Sequence, residues 1–301
     1  MRQIYLLLCL LLLCGSGQAQ MGTMKWRFNS RAEVVSALQE TRGNLRATYE
    51  VLICAGRQGY TNTGIGFYEN VVVGHEFDAS AQDSAAYAFA FDLGYSFRPW
   101  GWKRDLDQSM IKKSSRANAA HFRDRARSLR PNVPEVLVMR AFWERSLGEQ
   151  ESKDAYQANL QAVKRAPRWA DAYYWLGTNA NIYAGTFRSQ TLNNKTTANS
   201  QEMAEAKATV VRLGRLQLRA YDKAEALNLG LRPHLYWSRL DAYQDIADKK
   251  SAQMIPILVE RHLHAFPNFG AWYQRTTGRT VQQFRQGYQD LAAQIARDAT
   301  S

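Results

Sequence analysis

The chain has 301 residues, 46% apolar and 22% charged, with 19 Gly, 7 Pro, 15 Tyr and 8 Trp. That composition excludes collagen-like and disordered polar chains, and it is long enough to bury a core without disulfide staples. The formal charge of +12 favours acidic partners, anionic polymers or an anionic membrane face without choosing among them.

Arg2, the apolar run Ile4 to Cys14 and the small residues around Gly17 and Ala19 have the order of an export signal, residues 1–19, cleaved after Ala19. The run is too short for the ~30 Å hydrocarbon core of a bilayer, so the mature chain is expected in the periplasm or secreted, with no transmembrane helix. Two alternatives stand beside this. Leu11-Leu12-Leu13-Cys14-Gly15 resembles a lipobox, which would place a lipid anchor on Cys14, although Leu13 stands where that motif has a small residue. Initiation at Met21 or Met24 would leave the run untranslated. Cleavage removes one of 39 basic residues and no acidic one, leaving +11. An exported protein seldom meets nucleic acid, so that partner is not expected. Cys54 is then the only cysteine of the mature chain, and its apolar setting reads as a small core residue.

Residues 20–113 read as an N-terminal helical region. Ser30 followed by Glu33 is the pairing that caps a helix start. Val34, Leu38, Leu45, Tyr49, Leu52 and Ile53 keep helical spacing, which predicts a helix to about Ala55 with Gly43 inside it. Over 56–81 the glycines 56, 59, 64, 66 and 74 alternate with aromatic residues, and the expectation is a long ordered loop. Gly64-Ile65-Gly66 lacks the third glycine and the strand-to-helix switch of a nucleotide fingerprint. Ala85 to Leu93 alternates as a strand would, yet its alanines favour helix, which is the reading adopted; Pro99 ends it.

Beyond Trp102 long helical patterns are punctuated by Pro131, Pro167, Pro233 and Pro267, spaced 36, 66 and 34 residues apart. Proline stops one helix and is tolerated at the start of the next, and the intervals suit paired-helix repeats. Ala155, Ala162, Pro167, Tyr173, Leu176 and Gly177 resemble the tetratricopeptide repeat (TPR), and Ala119, Ala126 and Pro131 reproduce the first half of that pattern. Tyr221, Asn228, Ile255 and His262 stand where the family prefers small residues, so the later repeats are degenerate. The resemblance covers about 114–280, with a polar insertion at 186–201. Val281, Phe284, Tyr288, Leu291 and Ile295 then mark a C-terminal capping helix, 281–301. The expected fold class is all-α, a TPR-like helix-turn-helix solenoid with an N-terminal helical region and a long Gly/aromatic loop.

The five histidines form no His-Glu-x-x-His, no serine sits in a Gly-x-Ser-x-Gly setting, and Asp241 with Asp245 reads as a solvated surface pair. No catalytic residue, metal or cofactor is assigned. Lys112, Arg116, Arg123, Arg127 and Arg130 fall within about a 60° arc of one helix, a candidate dock for carboxylates or phosphates, beside an apolar arc of Ala119, Phe122, Ala126 and Leu129. The resemblance implies a second surface, a concave peptide-binding face: Asp171, Tyr174, Thr178 and Asn181 in one repeat, and Glu135, Val138, Phe142 and Arg145 in the one before. The expected function is an exported, non-catalytic scaffold binding a protein or peptide partner in the cell envelope. The alternatives are an enzyme with its site between the 56–81 loop and the solenoid groove, or a binder of anionic polymer or membrane surface through the basic helix face.

Overall fold

A computed structural model describes residues 26–73, 79–97, 116–129, 132–144, 149–188, 200–267 and 269–300. All regular secondary structure among them is helical, and the chain divides into two compact units, one reaching to Glu144 and one running on from Arg145. The export segment 1–19, Pro99, Pro131 and 189–199 of the expected insertion lie outside the described residues. Thr186 and Phe187 close one helix, and Ser200 and Gln201 open the next.

The first unit holds α1 (Arg31–Thr41), α2 (Leu45–Arg57), α3 (Thr61–Val72), α4 (Ala81–Phe97), α5 (Arg116–Leu129) and α6 (Pro134–Glu144). At its centre α4 packs against α2, α3, α5 and α6. Its consecutive residues Ala85 to Ala90 are all buried, so the helix is apolar around its whole circumference and shows no 3.6-residue period. That is why its sequence alternates like a strand. Phe89 stacks on Tyr49 of α2 at 5.2 Å, and Tyr87 meets Phe122 of α5 edge-on at 5.2 Å.

Three expectations for this unit are corrected. The helix from Ser30 to Ala55 is two helices, because Gly43 adopts φ +89, a left-handed conformation that glycine takes without a Cβ clash. The Asn44 side chain then caps α2 by accepting from the Ala47 N–H at 3.2 Å. Ser30 does cap α1, accepting from the Glu33 N–H, but the Glu33 carboxylate accepts from Asn29 N–H at 2.9 Å, not from Ser30. Most consequentially, 61–72 is not loop but the packed helix α3. Gly64 serves close approach: a Cβ there would lie 2.8 Å from Leu52 Cδ2 of α2. Glycine spacing alone does not separate a turn from a helix pressed against a neighbour. The helices 116–129 and 134–144, expected among the repeats, pack in this unit.

The second unit comprises α7 (Glu149–Arg165), α8 (Ala170–Phe187), α9 (Ser200–Leu227), α10 (Arg232–Ile246), α11 (Lys249–Ala265), α12 (Phe269–Thr277) and α13 (Val281–Asp298). Here α7 packs on α8, α8 on α9, α9 on α10, α10 on α11, and α11 on α13. This next-neighbour order is a solenoid-like stack of helices. Pro167 lies in the turn between α7 and α8, Pro233 is the second residue of α10, and Pro267 lies in the turn before α12. Ala155, Ala158 and Ala162 give α7 a buried small-residue face. Gly177 of α8 lies against Tyr221 of α9, so close that an added Cβ would sit 2.3 Å from the ring. Thr280 and Gln283 form a reciprocal capping box at the start of α13, whose Phe284, Ala292 and Ile295 are buried while its remaining face is polar.

Candidate functional site

The stripe Asp171, Tyr174, Thr178 and Asn181 lies along α8, and helix packing has taken up much of it. Tyr174 packs against the cluster of Ala170, Tyr221, Ala224, Leu231 and Leu235. The Thr178 hydroxyl donates to the Tyr174 carbonyl at 3.1 Å and bonds the buried Tyr221 phenol together with Ser238. Asn181 is buried: its amide N–H donates to Asp241 Oδ2 at 3.2 Å, and its Oδ1 accepts from Arg188 Nη2 at 2.7 Å.

From Asn181 the network leads to a pair of carboxylates that corrects the reading of Asp241 and Asp245 as solvated. Their exposures are 2% and 8%. The i, i+4 spacing puts both on one face of α10, and that face is turned inward. Gly214 of α9 makes room for it, since a Cβ there would lie 3.1 Å from Asp245 Cβ and 3.1 Å from the Ala242 carbonyl oxygen. Arg188 donates to Asp245 Oδ1 at 2.8 Å and to the Asn181 carbonyl at 3.0 Å, while Gln217 Nε2 of α9 reaches Asp245 Oδ2 at 3.5 Å. Asp241 Oδ1 and Gln217 Oε1 are buried without a hydrogen bond.

One guanidinium facing two carboxylates leaves an excess negative charge when both are ionised, and burial makes that charge costly. Burial pushes the Asp241 carboxyl up to about 7, with the neighbouring Asp245 charge adding to the rise and Arg188 and Asn181 opposing it. Burial likewise pushes Asp245 up to about 6 against Arg188 and Gln217. Protonating one carboxyl relieves that excess charge within the α8–α9–α10 junction. The cluster's seclusion suits a structural junction better than contact with substrate.

A second buried polar group lies under α13. His262 of α11 is 2% exposed, neither ring nitrogen has a hydrogen bond, and burial pulls it down to about 4. It is walled by Phe266 at 4.9 Å, Phe269 at 4.8 Å and Trp237 at 5.2 Å, with Phe284 of α13 stacked on Trp237 at 5.7 Å. Among the described residues no group of three or more His, Cys, Asp or Glu could hold a metal ion.

The outer side of α9 is different in kind. Its buried residues Ala206, Val210, Leu213, Gln217, Ala220 and Ala224 fall on one arc of the helical wheel. The opposite arc, about 140° wide, carries Ala204, Lys207, Ala208, Val211, Arg212, Arg215 and Arg219, which line a shallow open groove of about 630 Å³. The wheel argument that marks residues 112–130 marks this face in the sequence as well.

In the first unit Glu135 is held by Arg46 Nε at 2.7 Å and Val138 is fully buried. Arg123 is half-buried on α5, whose Ala119, Phe122 and Ala126 form the expected core side. Lys112, Arg130 and Arg145 lie outside the described residues, as do the side chains of Arg116, Arg127, Leu129 and Phe142. No family model matches the chain, and no curated protein matches it significantly.

Proposed function

We propose that this chain is an exported, non-catalytic scaffold that binds a protein or peptide partner in the cell envelope through the surface of its helix stack. The observation that carries this reading is the next-neighbour packing of α7 to α11. Such a stack presents helix faces in series, the arrangement used for extended recognition surfaces and the one the TPR resemblance implies. Of the titratable groups that converge inside the stack, Arg188 bonds Asp245, and Asp241 accepts from the Asn181 amide. The enzyme alternative relied on a loop at 56–81, and residues 61–72 of that segment are a packed helix.

Export is supported by the order of charge, apolar run and small residues at 1–19, and no helix among the described residues is long and apolar enough to cross a membrane. Expression of the full chain in a bacterial host, fractionation, N-terminal sequencing and cross-linking in the intact envelope test both parts. The expected result is a mature chain beginning at Gln20, joined to a defined protein in a saturable adduct. Acylation at Cys14 or retention of residues 1–19 overturns the cleavage. A chain that forms no adduct but turns over an envelope metabolite overturns the scaffold.

A further inference from the structure

We propose that the outer face of α9 is a docking groove for an acidic protein segment, a helix that sets Asp or Glu side chains around one aliphatic anchor. This deepens the scaffold reading and rests on it. Lys207, Arg212, Arg215 and Arg219 span twelve positions, about 18 Å of helix. All four are exposed, and all four line the groove. None makes a hydrogen bond or ion pair with the described residues, whereas the acids near the end of the same helix, Asp222 and Glu225, are already engaged by Arg239 at 2.8 and 2.7 Å. The carboxylate closest in effect to Arg215 is Asp248, whose Oδ1 is already occupied by the Ser251 N–H and hydroxyl at 2.8 and 2.9 Å.

A file of exposed cations that form no direct ion pair with the described residues favours an anionic occupant. The floor selects which one. Ala204 and Ala208 are small and Val211 is half-buried, so a partner helix can lie close along α9 and set one aliphatic side chain against Val211 while its acids meet the flanking guanidiniums. A bilayer surface needs large apolar residues to insert, and this face has none. Among the described residues the exposed large apolar side chains, Leu229 and Ile257, lie on other segments.

Fluorescence anisotropy with the mature chain tests the groove. The probe is a labelled helical peptide bearing Glu on one face around a single Leu, compared with its Gln-for-Glu counterpart. The Glu peptide should bind in a salt-sensitive manner and the Gln peptide should not. Arg212→Glu with Arg215→Glu should weaken binding about tenfold, while Lys164→Glu, on the exposed surface of α7, leaves it unchanged. Circular dichroism should show unchanged helicity in all variants. Equal binding by the reversed variant or by the Gln peptide overturns the proposal. So does displacement of the peptide by phosphatidylglycerol vesicles that bind the wild type and not the reversed variant, which would identify a membrane face. An envelope partner cross-linked from Ile257 but not from Val211 removes this groove and leaves the scaffold reading intact.

Discussion

At the residue scale, two buried ionisable groups pull stability in opposite directions with pH. His262 is depressed to about 4 from an ordinary 6.5. The unfolded chain therefore takes up a proton below 6.5 that the native ring refuses, and stability falls as pH drops from 6.5 toward 4 by about 3 kcal/mol. Asp241 is raised to about 7 from 3.8. Its contribution is full below 3.8 and is lost as pH rises through 7. The two slopes offset each other between about pH 4 and 6.5. Chemical denaturation across pH separates them: Asp241→Asn should gain on the order of 2 kcal/mol over wild type at pH 8 and lose that advantage by pH 4. His262→Leu should flatten the acid limb. If Asp241→Asn is less stable than wild type at pH 8, the carboxyl is needed in its charged form and the buried-proton description is wrong. The pair is visible in the sequence, but whether an i, i+4 pair faces water or a neighbour depends on the partner helix. Arg188, at the end of α8, and Gln217 of α9 lie 53 and 24 residues upstream of Asp241, a juxtaposition that no local pattern encodes.

At the scale of elements, what is legible is what a single helix decides for itself. Ser30 at the start of α1, the corners at Pro167, Pro233 and Pro267, and the apolar spacing of α13 depend on local backbone chemistry, and the structure has them where the sequence reads them. The segment 61–72 is misread because a glycine in it is needed for contact, not for turning: Gly64 faces Leu52 and the helix is buried along most of its length. The same use of glycine recurs at Gly177, where the obstacle is the rigid ring of Tyr221 and not a movable side-chain tip. Gly177→Ala should therefore cost about 2 kcal/mol or more, despite alanine's better helix propensity. Thermal unfolding would show it as a lowered midpoint, and Gly177→Ala combined with Tyr221→Leu should recover part of the loss. A neutral or stabilising Gly177→Ala would mean that α8 and α9 are not pressed together at this point. By contrast Gly287 on α13 has no atom within 4 Å of an added Cβ, so Gly287→Ala should stabilise slightly through propensity alone.

At the scale of the whole molecule, the second unit places its charge unevenly. Its buried carboxylates face Arg188 on the inside, while the cations of α9 are left facing outward. An inward-facing acid pair and an outward-facing cationic file fit a protein whose interior keeps the stack together and whose surface does the recognising. The candidate basic face expected from the sequence lies on residues 112–130, most of whose cationic side chains lie outside the described residues, and α9 carries a second such face, which lines a groove. The same amphipathic pattern occurs in both segments, and on α9 it is packing that leaves the cations facing outward. The most direct measurement is zero-length carbodiimide cross-linking of the mature chain with the acidic helical peptide, read by mass spectrometry. Amide bonds from peptide Glu side chains should concentrate on Lys207 and disappear with the Arg212→Glu and Arg215→Glu reversal. Links spread evenly over Lys153, Lys164, Lys249 and Lys250, with Lys207 no more reactive than the rest, would contradict recognition by this face.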